Sequence, residues 1–181
     1  TAPAADTKTY TYNGKEQTYG VTETDDYTVT GGTKTDAGTY TVTVSLKDPA
    51  NTKWDDDSTA NKTFDFVINK ATITITAKPK TAYVGDAEPV LGVSDYTVEG
   101  LAEGESLKTA PTIAYALTPD MTKAGTFPIT VSGAEAPDGG NYNEISYVNG
   151  TLTIITKSSG STDIYRNQFH IIEDEVSAFT A

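Results

Sequence analysis

Alternation of apolar and polar side chains is the dominant signal along this chain. In "TYTVTVSL", Tyr40, Val42, Val44 and Leu46 alternate with Thr and Ser. This two-residue period is that of a strand with one buried face. "TFPITVSG" repeats the pattern with Phe127, Ile129 and Val131. "KATITITAK" alternates through Ile73 and Ile75, and "TIAYAL" through Ile113, Tyr115 and Leu117. No helical period is sustained between residues 8 and 156. Pro128 lies on the polar face of its strand and removes a ladder donor, which predicts a sheet edge or a bulge. Gly38 and Gly125 stand just ahead of strands, where a turn with positive φ is expected. The Asn-Gly pairs at Asn13 and Asn149 read as hairpin turns.

The strands recur as phrases. "AGTYTVTVS" from Ala37 returns as "AGTFPITVS" from Ala124. "YNGKE" at Tyr12 is echoed by "YVGDAE" at Tyr83, "DYTV" at Asp26 by "DYTV" at Asp95, and "TFDFVINKA" at Thr63 by "TLTIITKS" at Thr151. The order is the same in both halves. The separation widens from 69 residues at the DYTV pair to 87 at the AGT pair, so the second copy carries an insertion of about 18 residues. Ordered echoes with one localised insertion mark tandem related modules. Asn69-Lys70-Ala71 joins them without a Gly/Ser spacer and predicts a semi-rigid joint. "TKSSGST" from Thr156 reads as a flexible linker. In the tail, Phe169, Ile172, Val176 and Phe179 carry helical spacing, which fits a helix and equally the opening of a further domain.

Composition narrows the function. With 13 Lys and Arg against 25 Asp and Glu, the net charge is −12. That field repels phosphate backbones, which argues against nucleic acid as a partner. No apolar run has transmembrane length, so direct membrane insertion is not expected. The chain has no Cys, which removes disulfides, thiol catalysis and Cys-ligated metals. Neither a signal peptide nor an LPXTG-type anchor is present, so the expectation is a piece of a longer exported chain.

The residues "KTYTYNGKEQT", "DYTVTGGTKTDAGTYTVTV" and "KTFDFVINKA" resemble the repeated β-sandwich modules of bacterial surface proteins. "ATITITAKPKTAYVGDAEPVL", "KAGTFPITVSG" and "GNYNEISYVNGTLTIIT" are similar to the MBG class of such repeats. Tyr83-Val84-Gly85-Asp86 departs from the Tyr-Gly-Asp run usual there. The resemblance covers roughly residues 8–156. It implies an immunoglobulin-like or MBG-type sandwich in the stalk of a cell-surface adhesin.

Several clusters invite chemistry. Asp55, Asp56 and Asp57 follow Trp54 and are candidate Ca²⁺ ligands. Adjacent side chains of an extended chain diverge, so a solvated turn beside a buried Trp54 is the favoured reading. Asp138, Asn141, Asn143 and Glu144 form a polar loop, read first as a loop with Tyr142 closing the core and second as a metal or sugar site. Tyr10, Tyr12 and Tyr19 are candidates for stacking on glycans, although alternating Tyr is mostly packing. Lys8 or Lys15 with Asn69 are candidates for an intramolecular isopeptide bond, which requires a desolvated, neutral amine. His170, the only His, stands alone, and no phosphate-binding glycine phrase is present.

The sequence therefore predicts an all-β chain of two tandem antiparallel β-sandwich modules, Ig-like or MBG-type, with a short non-repeat C-terminal tail. The divisions are a linker at 1–7, a first sandwich at 8–70, a second at 71–156 with an inserted hairpin at about 99–120, and a linker and tail at 157–181. The expected function is a non-catalytic stalk segment of an extracellular, Gram-positive-type surface adhesin, working as a monomer within a longer multi-repeat chain. The alternative is a module contacting host glycans, mucin or another envelope protein. No cofactor is expected, Ca²⁺ being the one considered.

Overall fold

The computed structural model describes residues 1–157, and the helical stripe predicted from Phe169 lies outside them. The described chain is all-β. Its strands are β1 (Tyr10–Thr11), β2 (Gln17–Thr18), β3 (Tyr27–Thr30), β4 (Thr33–Lys34), β5 (Gly38–Leu46) and β6 (Lys62–Asn69), followed by β7 (Thr74–Ala77), β8 (Lys80–Tyr83), β9 (Tyr96–Glu99), β10 (Thr112–Tyr115), β11 (Gly125–Ser132), β12 (Ser146–Val148) and β13 (Gly150–Ile155). A single 3₁₀ turn, Val93–Asp95, precedes β9.

Before Lys70, one sheet has the order β1-β6-β5-β3 and a second pairs β2 with β4. After it, one sheet has the order β10-β11-β13-β8 and another β12-β7-β9. The inward positions are mostly those the alternation predicts, but Leu117, last of the Ile113, Tyr115 and Leu117 series, lies past the end of β10 and is 69% exposed. Val42 and Val44 of β5, Phe66 and Ile68 of β6, Ile129 and Val131 of β11, and Leu152 and Ile154 of β13 are all buried. Trp54 is buried beside Tyr27, and its indole N–H donates to Ala60 O at 2.8 Å.

The sheets are not purely antiparallel. β1 runs parallel to β6, β8 to β13 and β12 to β7. In the C-terminal half, Ala71 bridges Tyr142, Ile75 faces Tyr147, Lys80 faces Leu152 and Tyr83 faces Ile155. The first segment thus accompanies the last along its whole course. Both change sheets at one level, between β7 and β8 and between β12 and β13. Gly150 permits that crossing, since a Cβ there would stand 2.8 Å from Ala77 O and 2.9 Å from Lys78 O. Asn149-Gly150 is therefore a sheet-to-sheet crossover and not a hairpin.

Three further expectations change. Gly38 and Gly125 open β5 and β11, and neither has a positive φ. A Cβ on Gly38 would stand only 3.1 Å from the Tyr40 hydroxyl, whereas one on Gly125 would meet the Phe127 ring at an ordinary 3.6 Å. Pro128 lies in β11, an interior strand, opposite Thr151. Ala116 N–H donates to Pro128 O at 3.0 Å, so the missing proline donor faces the point where β10 ends. The insertion supplies one strand, β10, whose partner is β11 and not another inserted strand. β10 holds against β11 the place that β3 holds against β5: Val29 faces Val44 and Ile113 faces Val131. β9, the sequence echo of β3, is thereby free to pair with β7.

Candidate functional site

The most elaborate polar structure lies where the two halves meet. Asn141 is the one buried polar residue among the described residues, 7% exposed. Its Nδ2 donates to Asp36 Oδ1 at 3.0 Å, and its Oδ1 accepts from Ala37 N–H at 2.8 Å. The amide of the C-terminal half therefore reads both a side chain and the backbone of the N-terminal half. Gly139 and Gly140 take φ values of 114° and 74°, which turn the loop so that Asn141 points into the joint. The backbone on either side is fixed as well. Ala71 N–H donates to Asn141 O at 3.0 Å, and Asn143 N–H donates to Ala71 O at 2.8 Å. Asn143 Nδ2 reaches Lys70 O at 3.3 Å and Thr72 Oγ1 at 3.2 Å.

A second contact comes from the insertion. Glu105 accepts from Tyr12 OH at Oε1, 2.5 Å away, and from Tyr142 OH at Oε2. The two rings meet edge to face with centroids 5.4 Å apart. Ala102 N–H donates to the Tyr142 hydroxyl at 2.8 Å. Gly14 fits beneath Ala102, where a Cβ would stand 2.9 Å from the Ala102 methyl. The carboxylate hydrogen bond, then burial, push the Tyr12 phenol up to about 12. Burial first, then Glu105, raise that of Tyr142. Lys15 pairs with Glu103 at 2.8 Å in an exposed bridge.

The predicted site residues fall elsewhere. Tyr10, Tyr12 and Tyr19 are 3%, 7% and 4% exposed. Tyr10 packs edge-on against Phe66, and Tyr19 stacks on Phe64. Their ring faces are filled by protein and not open to a sugar, which corrects the stacking expectation. The hydroxyls are also engaged: Tyr10 OH donates to Asp6 Oδ2 at 2.5 Å, and Tyr19 OH accepts from Asp6 N–H at 3.0 Å. Burial, then Asp6, push the Tyr10 phenol up to about 12, and that hydrogen bond holds the Asp6 carboxyl below its ordinary value.

Asp55, Asp56 and Asp57 lie on a tight turn, closed by the Asp57 N–H donating to Trp54 O at 3.0 Å, and their carboxylates go to three different cations. Asp55 approaches the Thr1 amino group at 3.2 Å, Asp56 pairs with Lys62 at 2.5 Å and Asp57 with Lys53 at 2.5 Å. The Lys62 and Ser58 contacts bring the Asp56 carboxyl down to about 2. Among the described residues, no group of three or more His, Cys, Asp or Glu is placed to hold a metal ion. Asp138 of the polar loop pairs instead with Lys108 at 2.8 Å. Lys8 is exposed, with its ammonium 4.7 Å from the Tyr10 ring centroid, and Lys15 points to Glu103. Asn69 is exposed and donates to Tyr10 O at 3.0 Å. None of these side chains has the desolvated setting that an isopeptide bond requires.

Sequence reasoning placed Asn141 and Asn143 in a loop of interest but gave no role to Glu105 or Asp36. The legible signal was the join itself, with no spacer between Asn69 and Ala71. No curated protein matches the chain. Residues 73–153, which carry β7 to β13, match the family described as the MBG domain (YGX type), a family that is non-catalytic in general. Over those residues the chain is similar to the MBG-type repeat modules of surface proteins.

Proposed function

We propose that this chain is a stalk segment of an exported bacterial adhesin, built of two stacked sandwich modules, residues 8–70 and 71–156, that hold a distal domain away from the envelope. The observation that carries the reading is the parallel course of first and last segments. In the second module, Ala71 starts beside Tyr142 and Tyr83 ends beside Ile155. The chain enters at one end and leaves at the other, so the module adds its length to the string. At about 3.3 Å per residue, 71–84 spans roughly 40 Å. In the first module, Tyr10 faces Ile68 and Tyr12 N–H donates to Asn69 O, the same progression. The joint between them is stiffened by Asn141 and Glu105. The packed faces of Tyr10, Tyr12 and Tyr19 favour a spacer over a glycan-binding head.

Because the chain has no Cys, paired spin labels can be placed cleanly. Labels at Ala60 and Ala87 are expected to give one narrow distance distribution. A broad distribution would contradict a stiff spacer. A glycan and mucin screen with multivalent display is the companion test. Saturable binding to one sugar class would make the segment a binder in its own right.

A further inference from the structure

We infer that the loops 100–107 and 139–143 form a selective socket that accepts the trailing end of the first module and rejects that of the second. The order of modules is then written into the joint. This inference rests on the two-module reading above.

The ladders establish which positions correspond. Tyr12 N–H donates to Asn69 O at 2.8 Å, and Val84 N–H donates to Ile155 O at 2.9 Å. Gly38 faces Ile68 as Gly125 faces Ile154. The ladders thus shift the sequence echo by one residue: Tyr12 corresponds to Val84, and not to the Tyr83 of the matching phrase, whose side chain is exposed, and Asp36-Ala37 corresponds to Lys123-Ala124. The second module's trailing end keeps the backbone N–H at Ala124 but has lost both side-chain groups that the socket reads. Val84 has no hydroxyl for Glu105. Lys123, held 3.0 Å from Asp120, would set ammonium donors against the Asn141 NH₂. Turning that amide over would set its NH₂ against the Ala124 N–H instead. In either orientation a buried amide loses a partner, and such a loss is a strong basis for rejection. The partner that fits is a sandwich end presenting a phenol at the Tyr12 position and an Asp-Ala pair ahead of the AGT strand. The second module must be followed by something of different chemistry.

The test uses the full chain and amide residual dipolar couplings, which report whether the two halves share one alignment tensor. Wild type is expected to give one tensor. The pair Tyr12→Val and Asp36→Lys gives the first module the second's trailing end, and is expected to split that tensor into two. Asp36→Lys alone, at an exposed position, is expected to act in the same direction without risk to the fold. Trp54 fluorescence checks that the first module stays folded. In the reverse experiment, residues 71–155 are repeated after Ile155. The added module is expected to align independently, and to join the shared tensor once Val84→Tyr and Lys123→Asp are introduced. A shared tensor in the Asp36→Lys variants, or a rigid unmodified extension, would overturn selectivity alone. Two tensors in the wild-type chain would overturn the stiff-spacer reading as well.

Discussion

Replacing Asn141 by Asp tests the joint with almost no change in shape. Oδ1 keeps its bond from Ala37 N–H, but the atom that replaces Nδ2 is a carboxylate oxygen about as close to Asp36 Oδ1 as the original 3.0 Å. The lost hydrogen bond to a charged acceptor is worth about 1.5–3 kcal/mol. Two like charges at ~4 Å repel by about 4 kcal/mol at an effective dielectric of 20. Asp36 is exposed and can swing away, so most of the repulsion relaxes. The net cost at pH 7 is roughly 2–4 kcal/mol. A pH signature separates this from a generic defect. When the two carboxyls share a proton, the bond is restored. The folded variant therefore holds that proton to higher pH than the unfolded chain does, since like charge raises a carboxyl's pKa. Its stabilisation is full below the ordinary carboxylate range, near pH ~4, and is lost as pH rises through the raised value. Urea unfolding of wild type and Asn141→Asp should show a wide gap at pH 7 that narrows near pH 3.5. Equal midpoints at pH 7, or a gap independent of pH, would refute the reasoning.

Tyr12→Phe and Tyr142→Phe should each lower stability by about 1–2 kcal/mol, and the double variant by less than the sum, because both phenols share Glu105; thermal melts decide. Tyr10 and Tyr12, pushed up to about 12 from an ordinary 10.0, bind their protons more tightly when folded. Their contribution is full below pH 10 and is lost as pH rises through 12; a urea midpoint that stays flat over that window would count against it. Gly150→Ala should cost about 1–3 kcal/mol through its contact with Ala77 O and Lys78 O. Gly85→Ala, with open space around it, should cost only the left-handed backbone strain of about 1–2 kcal/mol, and no measurable loss at Gly150 would exclude the packing cause. Removing residues 71–181 should lower the urea midpoint read from Trp54, since Tyr12 and Asp36 lose their partners; an unchanged midpoint would mean that the halves are independent.

The strands and much of the core were legible because a period of two is written directly into Val42, Val44, Ile75, Ile129 and Val131. Glycines were harder to read. A positive φ and a missing Cβ look alike in sequence, so a glycine ahead of a strand reads as a turn residue either way, and Gly38 instead leaves room for Tyr40. Gly31 and Gly100, which follow the two DYTV phrases, do take positive φ, and a Cβ at either would collide with a neighbouring carbonyl oxygen, 2.5 Å away at Thr41 or 2.1 Å away at Thr72. Pro128 was misplaced because local chemistry fixes which donor is missing but not where the neighbouring strand stops. The joint was hidden for another reason. Asn141 meets Asp36, and Glu105 meets Tyr12, only through contacts 105 and 93 residues apart in sequence. Each alone is an ordinary polar residue in a polar loop.

The insertion is what ties these observations together. Its strand β10 takes over the place that β3 occupies in the first half, which releases β9 to pair with β7. Its loop carries Ala102, Glu103 and Glu105 back across the joint to Gly14, Lys15 and Tyr12. One stretch of about 18 residues thus changes the sheet of its own half and also reaches the preceding half. The first half has no such loop, so two copies of it would meet without a clamp. Two copies of the second would meet with a clamp and nothing for it to grip. Divergence between the echoes is therefore required for the contact, and it also lowers the risk that neighbouring repeats exchange strands while folding, a characteristic failure of repeat arrays. The phrases that recur build the sheets, and the residues that do not recur decide which sheet may follow which.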